Sequence, residues 1–360
     1  MKKRVVILSA FLSPFRSGAE ACAEEIALRL CDRFDVTIIT GRMRRDLPKR
    51  DLLQGKVPII RVGFGFSFDK WLYPLLAPFA ARKIKPQILH AVLESFAGLA
   101  LHACVMMVPR AQQILTLQTT NRNFLRRHIL RSPHIVTAIS AVLAQQAADF
   151  GRKDVSVIPN GISYEEIRKA CTGVQKIPGR ILFIGRLERM KGVDALLQAF
   201  SILNSQFSIL HIVGSGSQRS SLENLTKTLG IADKVTFLGY LSGKDLYKEY
   251  AEAQIFCALS RSEALGNVFL EAQAAGCAVI GSDVGGIPEV VKDGVTGILT
   301  ERGDPALAAE VLKTLLDDER FRHELTDAAI EHAKAFDWDS IAQRYSEIYD
   351  RLSRTTDAAR

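Results

Sequence analysis

The chain has 360 residues, of which 48% are hydrophobic and 24% charged, and a formal net charge of +8. This length exceeds one ordinary hydrophobic core, so two domains are expected, and the composition is that of a globular protein. No stretch of 18 or more consecutive apolar residues occurs. We therefore expect no membrane-spanning helix.

The positive charge is concentrated in the first half of the chain. Residues 1–163 contain 24 Lys and Arg against 11 Asp and Glu, whereas the remainder contains 23 against 28. A basic domain joined to a mildly acidic one indicates that the first domain meets an anionic partner. Nucleic acid, an anionic membrane surface and a phosphorylated acceptor are the candidates. No nucleic-acid-binding module is recognisable, so we expect no nucleic acid partner.

The cysteines and the first residues both indicate a cytoplasmic protein. The six cysteines show no C-x-x-C spacing, and in a chain of this length they are expected to be reduced, buried thiols. The basic, then apolar start resembles a signal peptide, but Pro14 and Arg16 interrupt it and no small-residue cleavage site follows. We interpret it as a first buried strand.

The first half alternates strand and helix patterns. Residues 5–9, a loop, an apolar-periodic helix through Leu30 and residues 36–40 form a strand–loop–helix–strand unit, whose loop lacks the glycines of a dinucleotide site. Further strands are predicted at 88–90, 114–118, 136–139 and 155–158, with helices at 96–107 and 141–150. A turn at Pro159-Asn160-Gly161 precedes a polar segment, 162–179, which we interpret as the linker.

Residues 41–83 are the least regular part. A basic loop, 41–50, is followed by aromatic and aliphatic residues crowded between Phe64 and Phe79, and then by Arg82, Lys83 and Lys85. Large apolar side chains flanked by cations are what peripheral contact with an anionic membrane requires. The alternative is that they form core and the wall of an acceptor pocket.

A second basic cluster is suited to an acceptor phosphate or lipid headgroup. Its members are Arg122, Arg126, Arg127, His128 and Arg131.

The second half repeats the alternation more regularly. Strands are predicted at 180–184, 209–213, 234–238, 255–257 and 277–280, with helices between them and at 304–317 and 319–334. This order predicts a parallel sheet covered by helices on both faces, with ligands bound at the carboxyl ends of its strands. Three loops that contain Gly185–Gly192, Gly214 and Gly239-Tyr240 lie at such ends.

The segment 258–275 is the most informative. It follows a strand, contains Glu263 on a loop, and opens a helix after Gly266 that carries Glu271. A helix start offers unpaired amides and a positive dipole end to an anionic group, and glycine permits close backbone approach. Two carboxylates would repel a phosphate, so we expect them to bind neutral hydroxyls. A sugar nucleotide has hydroxyls on both sides of its diphosphate.

These residues resemble the retaining glycosyltransferases of the GT-B fold in the group 1 family, also called family 4. The family's paired glutamates match Glu263-x7-Glu271, its G-R-L-x-x-x-K-G matches Gly185–Gly192, and its P-N-G matches residues 159–161. The glycines of 285–297 also match, and we interpret them as turns that support the donor loop. The resemblance is specific over 180–300 and loose over 1–160.

The resemblance implies an α/β fold with two Rossmann-like, doubly wound parallel-sheet domains facing a deep cleft. Residues 1–163 are the expected acceptor-binding domain and residues 164–335 the donor-binding domain. A C-terminal helix, 338–354, is expected to cross back to the first domain.

It also implies the site residues. Arg186 and Lys191 would hold the donor diphosphate and Glu263 the donor sugar, and these three are the expected catalytic residues. Further donor contacts are expected from the backbone amides of the loop and from Glu271, which would hold the ribose. The full donor set is Gly214, Tyr240, Ala264, Leu265, Gly266, Asn267, Val268 and Glu271.

On the acceptor side the chain departs from the family pattern. The loop that usually carries two glycines has Ser17 and Gly18, and the strand that usually ends in a histidine near the reaction centre ends in Gln118. His90 and Arg122 are further candidates for acceptor contact. A lone histidine at a strand end is alternatively a packed, hydrogen-bonded one.

No metal or cofactor is expected, because Asp337-x-Asp339 lies at a helix start and favours capping over metal binding. The implied function is transfer of a hexose-type sugar from a UDP-, GDP- or ADP-sugar to a lipid-linked or anionic glycan or glycolipid in cell-envelope biosynthesis. The protein would be cytoplasmic or peripheral on the inner face of the cytoplasmic membrane. The alternative is a non-catalytic sugar-nucleotide-binding subunit, in which Gln118 marks lost chemistry.

Overall fold

The computed structural model describes residues 2–15, 17–120 and 125–358, with side chains through Leu352. The chain divides into two compact units. The first comprises residues 1–161 and 338–360, and the second residues 162–337. The sequence placed the boundary two residues later, at 163, and assigned the C-terminal helix to the first domain, where it lies.

The first unit is built on an eight-stranded sheet. Its order is β3-β4-β2-β1-β5-β6-β7-β8, and every pair is parallel except β3–β4. The strands are β1 (Arg4–Leu8), β2 (Asp35–Gly41), β3 (Arg50–Leu53), β4 (Val57–Val62), β5 (Ile88–Val92), β6 (Gln112–Leu117), β7 (Ile135–Ala138) and β8 (Val155–Val157).

Helices connect the parallel strands, as crossover connections require. They are α1 (Gly18–Leu30), α2 (Asp69–Ile84), α3 (Phe96–Met107), α4 (Arg126–Arg131), α5 (Ala141–Asp149) and the last helix of the chain, α14 (Trp338–Ala358). Helices α1 and α14 share one core with Val5 and Ile7 of the central strand β1. Burial of this apolar face holds the C-terminal helix on the first unit.

The second unit contains a six-stranded, fully parallel sheet in the order β11-β10-β9-β12-β13-β14. Its strands are β9 (Ile177–Ile184), β10 (Ile209–Val213), β11 (Val235–Gly239), β12 (Ala253–Ala258), β13 (Ala278–Ser282) and β14 (Ile298–Thr300). Strands β9, β12 and β13 are almost continuously buried and apolar, as expected for a sheet covered on both faces.

The helices of the second unit alternate with these strands. They are α6 (Tyr164–Cys171), α7 (Val193–Leu203), α8 (Arg219–Thr228), α9 (Gly243–Glu252), α10 (Asn267–Ala274), α11 (Ile287–Val290), α12 (Pro305–Asp317) and α13 (Glu319–Lys334). This is the doubly wound architecture that the alternating pattern predicted.

Each sheet has a point where the strand order reverses. In the second unit the chain winds outward from β9 toward β10 and β11, and outward from β12 toward β13 and β14. In the first unit the reversal lies between β1 and β5. In open α/β sheets, ligands bind in the crevice that forms at the carboxyl ends of strands at such a point. The loops after β9 and β12 are therefore the first place to look for a site.

Two segments differ from the sequence interpretation. Residues 41–83, interpreted as the least regular part, contain the β3–β4 hairpin and all but the last residue of helix α2, which includes Pro74 and Pro78. Residues 162–179, interpreted as the linker, contain helix α6 and the start of β9 and belong to the second unit.

All six cysteines are free thiols, but Cys31 and Cys171 are only partly buried. None of the described helices is both long and apolar enough to cross a membrane.

Candidate functional site

The loops after β9 and β12 bring Lys191 and Glu263 together. The Lys191 ammonium lies 2.5 Å from the Glu263 carboxylate, and both side chains are largely, but not fully, buried. These residues are 72 positions apart in the chain. The sequence predicted both as parts of one site, and the fold places them in contact at the strand-order reversal.

The loop after β9 is also fixed to the loop after β10. The Leu187 amide donates to the Ser215 carbonyl at 2.8 Å, and the Glu188 carboxylate accepts from the Ser217 amide at 3.0 Å and its hydroxyl at 2.8 Å. These hydrogen bonds lower the pKa of Glu188, and the one from the Ser217 backbone amide has the larger effect. Arg186 lies on this anchored loop and is exposed. Its guanidinium is therefore presented to solvent from a backbone that is held in place.

An ion pair that the sequence did not reveal joins the first turn of α7 to the loop after β12. Arg261 binds the Asp194 carboxylate through two nitrogens, at 2.8 and 2.7 Å, and the Arg189 carbonyl at 2.6 Å. Its own amide donates to the Met190 carbonyl at 2.7 Å. Burial acts to raise the pKa of Asp194, but the Arg261 guanidinium outweighs it and holds that pKa below its usual value. Arg261 thus positions the loops that carry Lys191 and Glu263.

Helix α10 begins directly after the Glu263 loop. Gly266 precedes the helix with φ at +103°, a conformation that favours glycine, and a Cβ there would lie 2.7 Å from the Phe269 ring. The amides of Asn267 and Val268 lie in the first turn, where a helix has no internal acceptors for its N–H groups. This helix start combines amide donors with the positive end of the helix dipole.

The glycine turn after β13 supports the same loop from the other side. The Gly286 amide donates to the Glu263 carbonyl at 3.1 Å, and a Cβ on Gly285 would lie only 2.1 Å from that oxygen. The sequence interpreted these glycines as structural support for the donor loop. The contacts agree with that interpretation.

Glu271, the second of the paired glutamates, is half-buried on α10. The Tyr250 hydroxyl donates to its carboxylate at 2.7 Å. Burial, reinforced by the Glu271 charge, raises the pKa of Tyr250 well above its usual value, so this phenol stays protonated. The carboxylate is therefore held in place by a neutral donor.

Gly214 and Tyr240 extend this edge toward β11. The Gly214 amide donates to the Gly239 carbonyl at 2.7 Å, and a Cβ on Gly214 would lie 1.9 Å from the Gly185 carbonyl. The backbone of the loop after β10 thus contacts the backbones of the loops after β9 and β11. Tyr240, 69% exposed, follows β11 at the end of this row. Ala264 and Leu265 complete the predicted donor set, and Leu265 is buried.

The candidate residues of the first unit form a different environment. Gln118 and Asn160 exchange two hydrogen bonds between their buried side-chain amides, at 3.0 and 2.9 Å. A Cβ on Gly18 would be 3.9 Å from the Asn160 amide nitrogen. Ser17 is the N-cap residue of α1, and its amide donates to the Glu20 carboxylate at 2.8 Å. Gln118 and Gly18 therefore both lie near the Asn160 side-chain amide, at the carboxyl edge of the sheet.

A buried ion pair lies beneath this edge. The Glu94 carboxylate accepts from the Gln118 amide at 2.8 Å and lies 3.3 Å from the Arg126 guanidinium. Burial raises the pKa of Glu94 despite the opposing effect of Arg126. Arg126, predicted as one of the acceptor-binding cations, is fully buried here and orders the backbone after β6. Arg122 lies outside the described residues.

His90 is not at a strand end but in the middle of β5. Its ring is fully buried, with one nitrogen 2.7 Å from the Tyr349 hydroxyl and the other 2.7 Å from the Thr116 hydroxyl. Burial lowers its pKa to about 3, so the ring is neutral. No ring atom is open to an acceptor in this structure. Of the two interpretations that the sequence allowed, the packed, hydrogen-bonded histidine describes this arrangement.

The two aspartates considered for metal binding have separate partners. Asp337 accepts from the Tyr164 amide at 3.1 Å, and Asp339 pairs with Arg29 at 2.7 Å. Among the described residues no group of three or more His, Cys, Asp or Glu side chains is arranged to hold a metal ion.

Two family models match the chain. The model for group 1 glycosyl transferases matches residues 166–332, and the model for glycosyltransferase family 4 matches residues 16–166. Together they cover residues 16–332 without a gap. The first match contains every predicted donor residue, and the second contains the predicted acceptor-side residues.

Curated relatives match about half of this chain. A D-inositol 3-phosphate glycosyltransferase from Corynebacterium diphtheriae is 33% identical over 192 residues, covering 51% of this chain and 45% of that protein. An uncharacterized glycosyltransferase from Methanocaldococcus jannaschii is 37% identical over 209 residues, covering 54% and 53%. The chain thus matches about half the length of these relatives.

Solved structures match the fold along nearly the whole chain. Sucrose-phosphate synthase from Thermosynechococcus elongatus superposes with a TM-score of 0.86 at 20% identity, covering 98% of this chain and 100% of that one. HepE from Anabaena, solved with UDP and glucose, gives a TM-score of 0.78 at 21% identity, covering 97% and 100%. With both family models and this architecture, the chain belongs to the GT-B glycosyltransferases of the group 1 and family 4 type.

Proposed function

We propose that this chain transfers a hexose-type sugar from a nucleoside-diphosphate sugar to an acceptor hydroxyl, with retention of the anomeric configuration and without a metal ion. The observation that carries the proposal is the contact of Lys191 with Glu263 at the strand-order reversal, beside the start of α10. One cation and one carboxylate on adjoining loops suit a ligand that is anionic at one end and rich in hydroxyls at the other.

The donor diphosphate gains negative charge as the glycosidic bond breaks. Arg186 offers a planar fork of donors, Lys191 a compact charge, and the first amides of α10 the positive end of a helix dipole. Hydrogen-bond donors that are already in place when charge develops provide the largest contribution to the rate enhancement in many enzymes. The glycine-supported loops hold them there, so these groups can do the work that a divalent cation does elsewhere.

The two glutamates would bind the alcohols on either side of the diphosphate. Glu263 is held by Lys191 and by the backbone of Gly286, and Glu271 by Tyr250. A carboxylate whose position is fixed accepts hydrogen bonds from sugar or ribose hydroxyls with little further loss of entropy. Glu263 is engaged by a cation, which disfavours a role as the attacking nucleophile.

Retention then follows from attack on the same face as the departing phosphate. In this route the leaving phosphate oxygen accepts the proton of the acceptor hydroxyl, so no separate protein base is needed. Gln118, which has no basic nitrogen and whose amide is paired with Asn160, is compatible with such a reaction.

The acceptor is proposed to be a lipid-linked or anionic glycan at a membrane surface. The basic first half of the chain supports an anionic acceptor. The matched relative from Corynebacterium diphtheriae is named as a D-inositol 3-phosphate glycosyltransferase, and one solved neighbour as a lipopolysaccharide outer core galactosyltransferase. These names describe those proteins and serve here only as support for the class of acceptor.

Thermal unfolding with UDP-, GDP- and ADP-sugars tests donor binding. A ligand bound only by the folded protein raises Tm, and we expect one nucleotide class to do so in the presence of EDTA. Release of the matching nucleoside diphosphate on addition of an acceptor extract then separates the enzyme from a non-catalytic binding subunit. No shift with any of the three donors contradicts the proposal, and a shift without turnover supports the binding subunit.

The stereochemistry is tested separately. The product formed with the active donor is examined by NMR for the configuration at its anomeric carbon. The same configuration as in the donor is expected; the opposite one would exclude same-face attack.

A further inference from the structure

Helix α2 has large apolar residues on two opposite sides. Tyr73, Ala77 and Ala81 face the core and are buried. Phe68, which precedes the helix, and Trp71, Leu75 and Phe79 follow one another at intervals of three or four residues, and all four are exposed. This spacing places them on one stripe of the helix. A large exposed apolar stripe marks contact with an apolar partner.

The stripe extends beyond the helix. Phe64 and Phe66 are exposed just before it, and the Phe66 ring stacks on Phe68 with 5.3 Å between centroids. We call Phe64, Phe66, Phe68, Trp71, Leu75 and Phe79 the aromatic face. The neighbouring helix α3 adds exposed Val105 and Met106. Isolated exposed apolar residues are ordinary, but this number within about forty residues is not.

The charges beside the aromatic face are positive. Arg82, Lys83 and Lys85 are exposed at the end of α2, and the Arg45 guanidinium lies 4.3 Å from the centre of the Phe66 ring. Asp69 is the one acidic residue between positions 63 and 93 of the sequence. It is fully buried, and its carboxylate accepts a hydrogen bond from the Gly65 amide at 2.6 Å. Its carboxylate is therefore not exposed on the surface beside the stripe.

The aromatic face also leads to the acceptor side of the sheet. The Trp71 ring meets Phe96 edge-on at 5.0 Å, and Phe96 meets Phe11 at 6.3 Å. Phe11 follows β1, in the same loop that leads to Ser17 and Gly18. Apolar contacts thus run from the exposed stripe to the predicted acceptor loop.

We propose that the aromatic face docks on the surface of an anionic lipid bilayer. Aromatic and aliphatic side chains enter the boundary between headgroups and acyl chains, while Lys and Arg remain with the anionic headgroups. This inference deepens the proposed function by naming where a membrane-borne acceptor reaches the protein. A symmetric contact with a second copy is disfavoured, because a two-fold interface would bring equivalent patches of Arg82 and Lys83 together.

Trp71 provides a built-in reporter. The chain has two tryptophans, Trp71 at 67% exposure and Trp338 at 3%. With vesicles containing phosphatidylglycerol, we expect co-flotation of the protein, a blue shift of its fluorescence and quenching by brominated acyl chains. Vesicles of phosphatidylcholine alone should bind at least about tenfold less protein, since each exposed cation is attracted to an anionic surface. Trp71→Phe should abolish the blue shift and the quenching.

Two variants separate the apolar and charged contributions. Trp71→Ser combined with Phe79→Ser should lower vesicle partitioning by about tenfold or more. Arg82→Gln combined with Lys83→Gln should weaken the preference for anionic lipid, since Arg45 and Lys85 remain. Phe207→Ser is the matched control, because Phe207 is an exposed aromatic residue in the second unit, and it should leave partitioning unchanged. All three should keep the wild-type Tm.

Three results would overturn the proposal. They are failure of the wild-type protein to bind anionic vesicles, full binding by the Trp71 and Phe79 double variant, and a wild-type dimer that this variant converts to monomer without any vesicle binding. The rise in Tm with the donor sugar is measured on the same samples. It should be equal in the wild type and the double variant, so a failure of membrane docking is distinguishable from a failure of donor binding.

Discussion

The two sheets end in different chemistry, although both are parallel and both reverse their strand order. At the reversal in the second unit, a lysine and a glutamate meet on loops that remain partly open to solvent, with an exposed arginine on the same loop. In the first unit the corresponding edge contains a buried amide pair, Gln118 with Asn160, above a buried carboxylate, Glu94. The same architecture thus presents ionised groups in one unit and packed polar groups in the other.

This difference indicates how the binding work is divided. Charges that remain accessible can exchange an internal partner for a ligand phosphate without leaving a buried charge unpaired. Buried polar groups that already have partners gain little from a ligand and lose much if disturbed. We therefore expect donor binding to depend on a few named side chains of the second unit, while the polar groups of the first unit serve mainly to order its loops.

The largest expected effect follows from removing a cation of the second unit. Arg186→Ala should lower kcat/KM for the donor by about 10²–10³, because a preorganised donor to the developing diphosphate charge is lost. The exposed side chain of Arg186 predicts an unchanged Tm without ligand. Steady-state kinetics at fixed acceptor and thermal unfolding measure the two effects.

Two further variants test the comparison itself. Arg320→Ala removes an exposed arginine on α13 and should leave turnover unchanged. Gln118→Ala should lower the free energy of unfolding by about 1–3 kcal/mol, because Asn160 loses its buried partner, yet keep the stabilisation by donor. Wild-type turnover in Arg186→Ala, or loss of the donor shift in Gln118→Ala, would reverse the assignment of roles.

The predictable part of this structure is the part written in local pattern. The strand–loop–helix order of residues 258–275 and the glycine-rich loop at 185–192 can be read directly, because apolar runs, helix periodicity and glycines report nearby geometry. Their meeting at one sheet edge follows from the rule for parallel sheets. The resemblance to the group 1 family is what put Lys191 and Glu263 in one site, and the sheet rule is consistent with it.

The rest depends on contacts between residues far apart in the chain. Asp194 lies two residues after Gly192, and Arg261 two before Glu263, but nothing in one sequence pairs them. Helix α2 was missed because its two prolines and its apolar residues on both sides obscure the helical period. His90 was placed at a strand end, but β5 continues through the buried Ala91 and Val92.

A further prediction concerns the acid stability of the first unit. Burial lowers the pKa of His90 to about 3, whereas an unfolded histidine titrates near 6.5. Between those values the unfolded chain binds the extra proton, so stability falls as the pH drops. From pH 7 to pH 5 the loss should be about 2 kcal/mol.

Urea unfolding of the wild type and of His90→Gln at both pH values measures this loss. The variant should lack most of it, even if it is less stable at pH 7. His323→Gln, which changes an exposed histidine of the second unit, should retain it. An equal pH dependence in His90→Gln and the wild type would show that His90 is not the group responsible.

The smallest expected effect concerns the Asp194–Arg261 ion pair of the second unit, whose contribution to stability begins to fall at a lower pH than that of His90 in the first unit. Arg261 keeps the pKa of Asp194 below its unfolded value, so the pair stabilises the second unit above about pH 4, and that stabilisation is lost as the pH falls through the lowered pKa. Asp194→Asn should cost about 0.5–1 kcal/mol at pH 7, since the pair is partly exposed and screened by solvent. Because Arg261 positions the donor loops, the variant should also raise the donor KM more than it lowers kcat.

Asp317→Asn, at the end of α12, is the control and should change neither KM nor kcat. A lowered kcat with an unchanged KM would instead assign the pair to the chemical step, and the distinction between a positioning pair and the reacting groups of the second unit would have to be redrawn.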